Sequence, residues 1–266
     1  MTYAKDFKLT KSNYYSPDRP HLSYSQMKTY LKSPRLYKLR YIEKTNKLKM
    51  SDPIKFGKLV DAALTDEKVF TKFSISEGKR GLTEEEKEWI VSETLFQNAL
   101  TLSNHIFEQP FWKVRKAFQV VLQGELNGQK VSGLADAILK TPVGDWILDI
   151  KTTSEMKMKN EKSWFYHSIG LGYHIQAGLY RELVLQQTGK LVDFVHLVCC
   201  VDSDGMPQAK LYRIPDELCA QGLALASIAL DGIVAGNFEQ EKLTWDSVKD
   251  LQINTPYDND LQEVFE

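Results

Sequence analysis

The sequence predicts a mixed α/β or α+β domain: one central sheet flanked by helices, behind an N-terminal helical region. Three observations predict it. Runs of period two at 117–125, 130–139 and 145–150 place consecutive strands in mid-chain. An apolar run at 191–201 (LVDFVHLVCCV) reads as a buried strand, and a helical stretch from about Gly172 to Gln187 precedes it. Helical patterns occupy both flanks. That element order suits layers of helices packed on one sheet.

Composition bounds the answer. The 266 residues make one large domain or two small ones. Apolar residues at 42% and charged residues at 26% are globular values and exclude a disordered or fibrous chain. The apolar runs are short of the roughly 18 residues that a membrane span needs. The N-terminal stretch MTYAKDFKLTKSNYY has no signal-peptide core, so a cytoplasmic location without a membrane is expected. Cys199, Cys200 and Cys219 are too few for a disulfide framework or for the four thiolates of an iron–sulfur cluster. They read as small core hydrophobes.

The elements follow in order. Residues 1–20 are polar, with Pro17 and Pro20 as breakers, and read as an extended arm. Ser23 or Ser25 can cap a helix whose Met27, Tyr30 and Leu31 form one stripe, and Pro34 stops that helix or opens the next. Phe56 to Leu64 reads as a small-residue helix packed closely on a neighbour. Thr83 and Glu86 have capping-box spacing, which predicts one helix onward to about Phe107, before Pro110. Asn127-Gly128 joins the first two strands as a hairpin, and Pro142-Val143-Gly144 turns into the third. Gly189 closes the helix that begins near Gly172. Asp204-Gly205 turns the chain into AKLYRI, and Pro215-Asp216 opens a helix to about Val234. The expected division is 1–110 for the basic arm and helices packed on the core, 111–235 for the core, and 236–266 for an acidic segment. All three belong to one compact domain.

Net charge is −1 only after large terms cancel. Residues 1–58 hold 14 Lys and Arg against Asp6, Asp18, Glu43 and Asp52, a net +10, and the remainder carries −11. Such asymmetry suits a polyanion-binding arm on an acidic body. It also suits a solvated, lysine-rich surface. Arg35, Lys38 and Arg40 alternate with Tyr37 and Tyr41, a pattern fit for phosphates and stacked bases, and equally for an amphipathic helix.

The chemistry concentrates at 133–151. Asp136 interrupts an apolar strand. Asp149 and Lys151, two apart on the next strand, share a face. Adjacent strands lie under about 5 Å apart, so Asp136 can sit beside Asp149. Paired carboxylates repel and raise each other's pKa unless a cation joins them. Their hard oxygens suit Mg²⁺, and a lysine on the same face can hold water or offset charge developing on a phosphate. On the following helix, Gln176 and Tyr180 lie one turn apart with Tyr173 before them, all able to donate to phosphate oxygens.

A strand Asp in GLADAI, a turn, LDIKTT on the next strand, then a Q-x-x-x-Y helix: this order resembles the PD-(D/E)xK nuclease superfamily. Within it, the chain is similar to RecB-like and phage-type recombination exonucleases, including exonuclease VIII-like prophage proteins. HLSYS with Ser33-Pro34 resembles that group's N-terminal S-x-S…CP helix. FGKLVDAAL resembles its G-x-x-x-H-x-x-L helix, and FYHSI leads to Gln176 as in the group. The likeness spans roughly residues 21–200.

The resemblance implies a restriction-endonuclease-like core. It implies Asp136 and Asp149 as metal ligands together with the Ile150 carbonyl, and Lys151 as the catalytic lysine. Gln176 and Tyr180 would contact DNA or support the site. By their own spacing and charge pattern, Tyr173, Ser25, Arg35 and Lys38 are expected to join them. Asp61 replaces the group's helix histidine and would be a further ligand. Ser33 replaces its CP cysteine, which excludes the iron–sulfur branch. Gln119 stands about where a first-strand carboxylate is expected. The implied function is Mg²⁺-dependent DNA exonuclease activity (Mn²⁺ substituting) of phage or prophage recombination type. The implied partners are DNA, a single-strand annealing recombination protein and further copies of the chain. A catalytically impaired DNA-binding module and an endonuclease stay open as alternatives.

Overall fold

The computed structural model describes residues 9–16, 19–46, 50–75, 83–154, 156 and 161–239. The start of the expected arm (1–8) and the acidic stretch from 240 onward lie outside the described residues.

A 3₁₀ turn (Lys11–Asn13) and a short strand β1 (Leu22–Ser23) precede helix α1 (Tyr24–Lys32). Gln26 Oε1 accepts the Ser23 amide over 2.9 Å, closing a capping box at α1. The Ser33 hydroxyl accepts from Leu36 N over 3.1 Å and caps α2 (Pro34–Tyr37), which runs into a π-helical turn, Lys38–Ile42. Helices α3 (Asp52–Thr65) and α4 (Glu67–Phe70) follow.

The expected single helix from Thr83 to Phe107 is broken in two. Strands β2 (Ser74–Ile75) and β3 (Ile90–Val91) pair in parallel, with α5 (Glu84–Lys87) between them. A new helix, α6 (Glu93–Glu108), starts under its own cap, the Ser92 hydroxyl accepting from Leu95 N. The physical reason is local: β-branched Ile90 and Val91 gain strand partners, while Trp89 packs edge-on to Phe73 at 5.1 Å. Helix α7 (Pro110–Lys113) leads into the sheet.

The central sheet is mixed. β4 (Arg115–Leu126), β5 (Gln129–Thr141) and β6 (Gly144–Thr152) form an antiparallel meander. Helices α8 (Glu161–Gly170) and α9 (Tyr173–Thr188) cross over to β7 (Asp193–Val201), parallel to β6. β8 (Pro207–Arg213) returns antiparallel to β7, and α10 (Asp216–Val234) closes the described chain. The expected strands and helices from 117 onward are thus present, with ends moved by a few residues.

Each sheet face buries its own core. On one face α1, α9 and α10 enclose Met27, Ile147, Leu179, Phe194 and Leu230. On the other, α3, α6 and α7 enclose Leu59, Leu102, Trp112, Leu148 and Leu197. The three cysteines are buried and free, as core hydrophobes should be. Helix α10 is long and apolar enough to cross a membrane by length and composition, contrary to the expectation from uninterrupted apolar runs. Its apolar face instead packs on α9 and α1. Glycines 178 and 222 set the α9–α10 spacing, since a Cβ on either would meet backbone of the other helix.

Candidate active site

The site lies where one edge of β5 loses its strand neighbours. Residues 131–132 of β5 pair with β1 and residues 137–141 pair with β6, both on the edge away from β4. Side chains serve the backbone in the opening. The Tyr180 hydroxyl accepts the Leu134 amide over 3.2 Å, and Asp136 Oδ2 accepts the Ile150 amide over 2.7 Å. The ring of Tyr180 lies flush on the strand because position 133 is glycine; a Cβ there would meet the ring.

Alternation on β6 turns Asp149 and Lys151 to the α9 face, together with Ile147. Lys151 Nζ lies 2.6 Å from Asp149 Oδ2. The Gln176 side chain bridges both: its Nε2 donates to Asp149 Oδ1 over 2.6 Å, and its Oε1 accepts from Lys151 over 3.1 Å. Tyr173 presents its ring 4.4 Å from the ammonium. Burial pushes the lysine down, but Asp149, Tyr173 and Asp136 together hold it above its ordinary value, so it is charged.

Asp61 joins from α3, on the opposite face. Its carboxylate accepts from Thr65 Oγ1 at 3.1 Å and from Gln119 Nε2 at 3.2 and 3.3 Å. Gln119 lies between Phe118 and Val120, which pair with Ala137 and Ala135, so it stands across from Asp136. Its φ of +47° is left-handed, a conformation costing on the order of 1 kcal/mol or more in a residue other than glycine. It aims the amide at Asp61. Burial, aided by the Asp149 charge, raises the Asp61 carboxyl from 3.8 to about 6 against the pull of Thr65 and Gln119. Burial and the charges of Asp61 and Asp149 push Asp136 well above the carboxylate range. The three carboxylates therefore feel one another. Among the described residues, however, no three His, Cys, Asp or Glu side chains stand close enough to form a ready-made metal cage.

The expected residues divide into two groups. Asp61, Asp136, Asp149, Ile150, Lys151, Gln176, Tyr173 and Tyr180 come together. Tyr180 is almost wholly buried, so it supports the strand instead of facing solvent. The Ser25 backbone carbonyl accepts from Thr29, and its side chain is exposed on α1. Lys38 is tied to Glu239 at 3.0 Å. Tyr37 is buried and stacked on Phe238 at 5.7 Å, which removes it from base stacking. Arg35 is exposed on α2.

Two neighbours escaped the sequence analysis. His196, the register partner of Asp149 on β7, is fully buried, with Nε2 3.7 Å from Asp149 Oδ2. Its signal was visible, since it interrupts an apolar strand as Asp136 does. Lys28 lies against the Tyr173 ring.

Residues 23–237 match the family described as a PDDEXK-like domain of unknown function (DUF3799). The chain belongs to that family. This fold is shared with a crystal structure from Eubacterium rectale of a protein named as a candidate exonuclease. The TM-score is 0.67 at 19% identity, over 90% of this chain and 91% of that one. The crystal structure of SSO0001 aligns at a TM-score of 0.39 and 14% identity, over 80% of this chain and 76% of that one. No curated protein matches.

Proposed function

We propose that the protein is a divalent-metal-dependent DNA exonuclease that hydrolyses phosphodiester bonds. The carrying observation is Asp136 and Asp149 on neighbouring strands at the opening in the sheet, with Asp149 paired to the buried Lys151 at 2.6 Å and Asp61 within electrostatic reach of both carboxylates. Membership of a PDDEXK-like family and the fold shared with a named candidate exonuclease support it.

The donor set fits Mg²⁺, with Mn²⁺ as a substitute. All donors are hard oxygens, and the carboxylates raise one another's pKa, the condition that a cation relieves. Asp136, Asp149 and the Ile150 carbonyl would hold the ion, with Asp61 beside them. Since Mg²⁺ keeps several waters, two carboxylates suffice. When bound, the ion supplies a Lewis acid and a water of lowered pKa. Gln176 fixes the positions of Asp149 and Lys151 through its two short bonds. The charged Lys151 orients a water or a non-bridging oxygen and offsets charge that develops on the phosphorus centre. Contacts of this kind are made to the backbone, so sequence specificity is not expected. A place in cytoplasmic phage-type recombination, beside a single-strand annealing protein and as a homo-oligomer, belongs to the same proposal.

The test uses end-labelled linear duplex and closed circular duplex, with Mg²⁺ and with EDTA. Metal-dependent loss of the linear duplex alone is expected. Cleavage of the circle would make the protein an endonuclease. Binding without cleavage of either would make it a DNA-binding module on the nuclease fold.

A further inference from the structure

Two ammonium groups share one aromatic ring. Lys151 Nζ lies 4.4 Å from the Tyr173 centroid, and Lys28 Nζ, from α1, lies 5.0 Å from the same centroid. Lys28 also faces the Tyr24 ring at 5.7 Å, and its stem runs past Gly172 at the start of α9. The two cations differ in what balances them. Lys151 has Asp149 and Gln176. Lys28 has no ion pair or hydrogen bond among the described residues, and its ammonium lies over the Tyr24 and Tyr173 rings.

A half-buried cation beside a second cation is costly unless an anion completes it. Burial, with Lys151 and Lys32, lowers the Lys28 pKa to about 8, so the group is still largely protonated at neutral pH. Asp149 offsets part of this from a distance, but its oxygens are engaged by Lys151 and Gln176 and it makes no ion pair with Lys28. A phosphodiester that reaches the site brings the missing charge.

We propose that Lys28 is a phosphate-binding residue of this site: its ammonium takes a non-bridging oxygen of a backbone phosphate of the bound strand. The Tyr24 and Tyr173 rings replace part of its water by cation–π contact. The inference rests on the nuclease function proposed above and adds a substrate contact from the N-terminal helix. It gives the basic region a specific point of engagement beyond diffuse attraction.

The experiment compares wild type with Lys28→Met, Lys28→Ala and Lys28→Arg. Methionine keeps an apolar stem and removes the charge. Binding of a fluorescent duplex oligonucleotide is followed by anisotropy without metal across a salt series, and KM and kcat are measured with Mg²⁺. Met and Ala are both expected to flatten the slope of log affinity against log salt by about 0.9, the loss of one phosphate contact. Both should also raise KM several-fold more than they lower kcat, and Arg should restore binding. Wild-type behaviour of the Met variant would overturn the proposal and leave the nuclease function standing. An impaired Ala variant beside an intact Met variant would reduce Lys28 to a packing stem and overturn it equally. Wild-type protein that neither binds nor cleaves DNA would overturn both.

Discussion

Trp164 Nε1 donates to His196 Nδ1 over 3.1 Å, and that bond decides which imidazole nitrogen carries the proton facing Asp149. Burial, with the Lys151 charge, keeps the ring neutral, so Nδ1 accepts and the proton sits on Nε2, 3.7 Å from Asp149 Oδ2 and too far for a hydrogen bond. A carboxylate that holds metal depends on such neighbours for its orientation. His196→Phe is therefore expected to weaken metal-dependent cleavage or metal affinity by about 10–100-fold while the fold survives. Cleavage rate against Mn²⁺ concentration checks this, and an unshifted titration would remove His196 from the site. Trp164→Phe, which frees the tautomer, should have the smaller effect.

Asp149 and Lys151 stabilise each other as a pair that is largely withdrawn from solvent. Removing one partner strands the other charge, at roughly 3–5 kcal/mol. Asp149→Asn should abolish cleavage and lower the melting temperature. Asp149→Asn combined with Lys151→Met should melt higher than Asp149→Asn alone. A double variant no more stable than that single variant would show that the pair is not coupled.

Asp61 gives a pH signature in metal-free protein. Its folded pKa, about 6, lies above the ordinary 3.8, because burial penalises the charged form. Protonated, Asp61 adds stability that is fully present below 3.8 and is lost as pH rises through about 6. Asp61→Asn carries no such proton. In EDTA, its melting temperature relative to wild type should rise across that window, and Mg²⁺ or Mn²⁺ should favour wild type. Parallel melting curves with equal metal shifts would mean that Asp61 stands apart from the site.

Tyr180 makes a structural claim. Tyr180→Phe leaves the Leu134 amide without its acceptor, at about 1–3 kcal/mol. Thermal melts should show that loss, with duplex affinity nearly unchanged because the hydroxyl faces the strand. A large fall in affinity at unchanged stability would make Tyr180 a DNA contact after all.

The strands were legible because period two survives burial on both faces, and the Asp-turn-D-x-K order marks the two neighbouring strands that carry Asp136 and Asp149. Lys28 was not legible. On a helix whose apolar stripe is Met27, Tyr30 and Leu31, it reads as an ordinary solvated residue, and only tertiary packing brings Tyr173 beneath it. His196 was visible as a polar break in LVDFVHLVCCV, but its partner Trp164 lies on another element. Tyr37 misled because the ring that covers it, Phe238, sits some 200 residues away in sequence. The helix break at Trp89 was hidden because Ile90 and Val91 fit a helical stripe as well as a strand.

The crossover between β6 and β7 carries Trp164, Tyr173 and Gln176. The connection that topology requires between two parallel strands is thus also the carrier of the groups that align Asp149 and Lys151. Closing that loop depends on pairing strands distant in sequence, a slow event. During refolding, helix content and the local β4–β5–β6 meander can therefore precede this alignment, and a half-formed chain carries Asp136, Asp149 and Lys151 before Gln176 and Tyr173 set them in place.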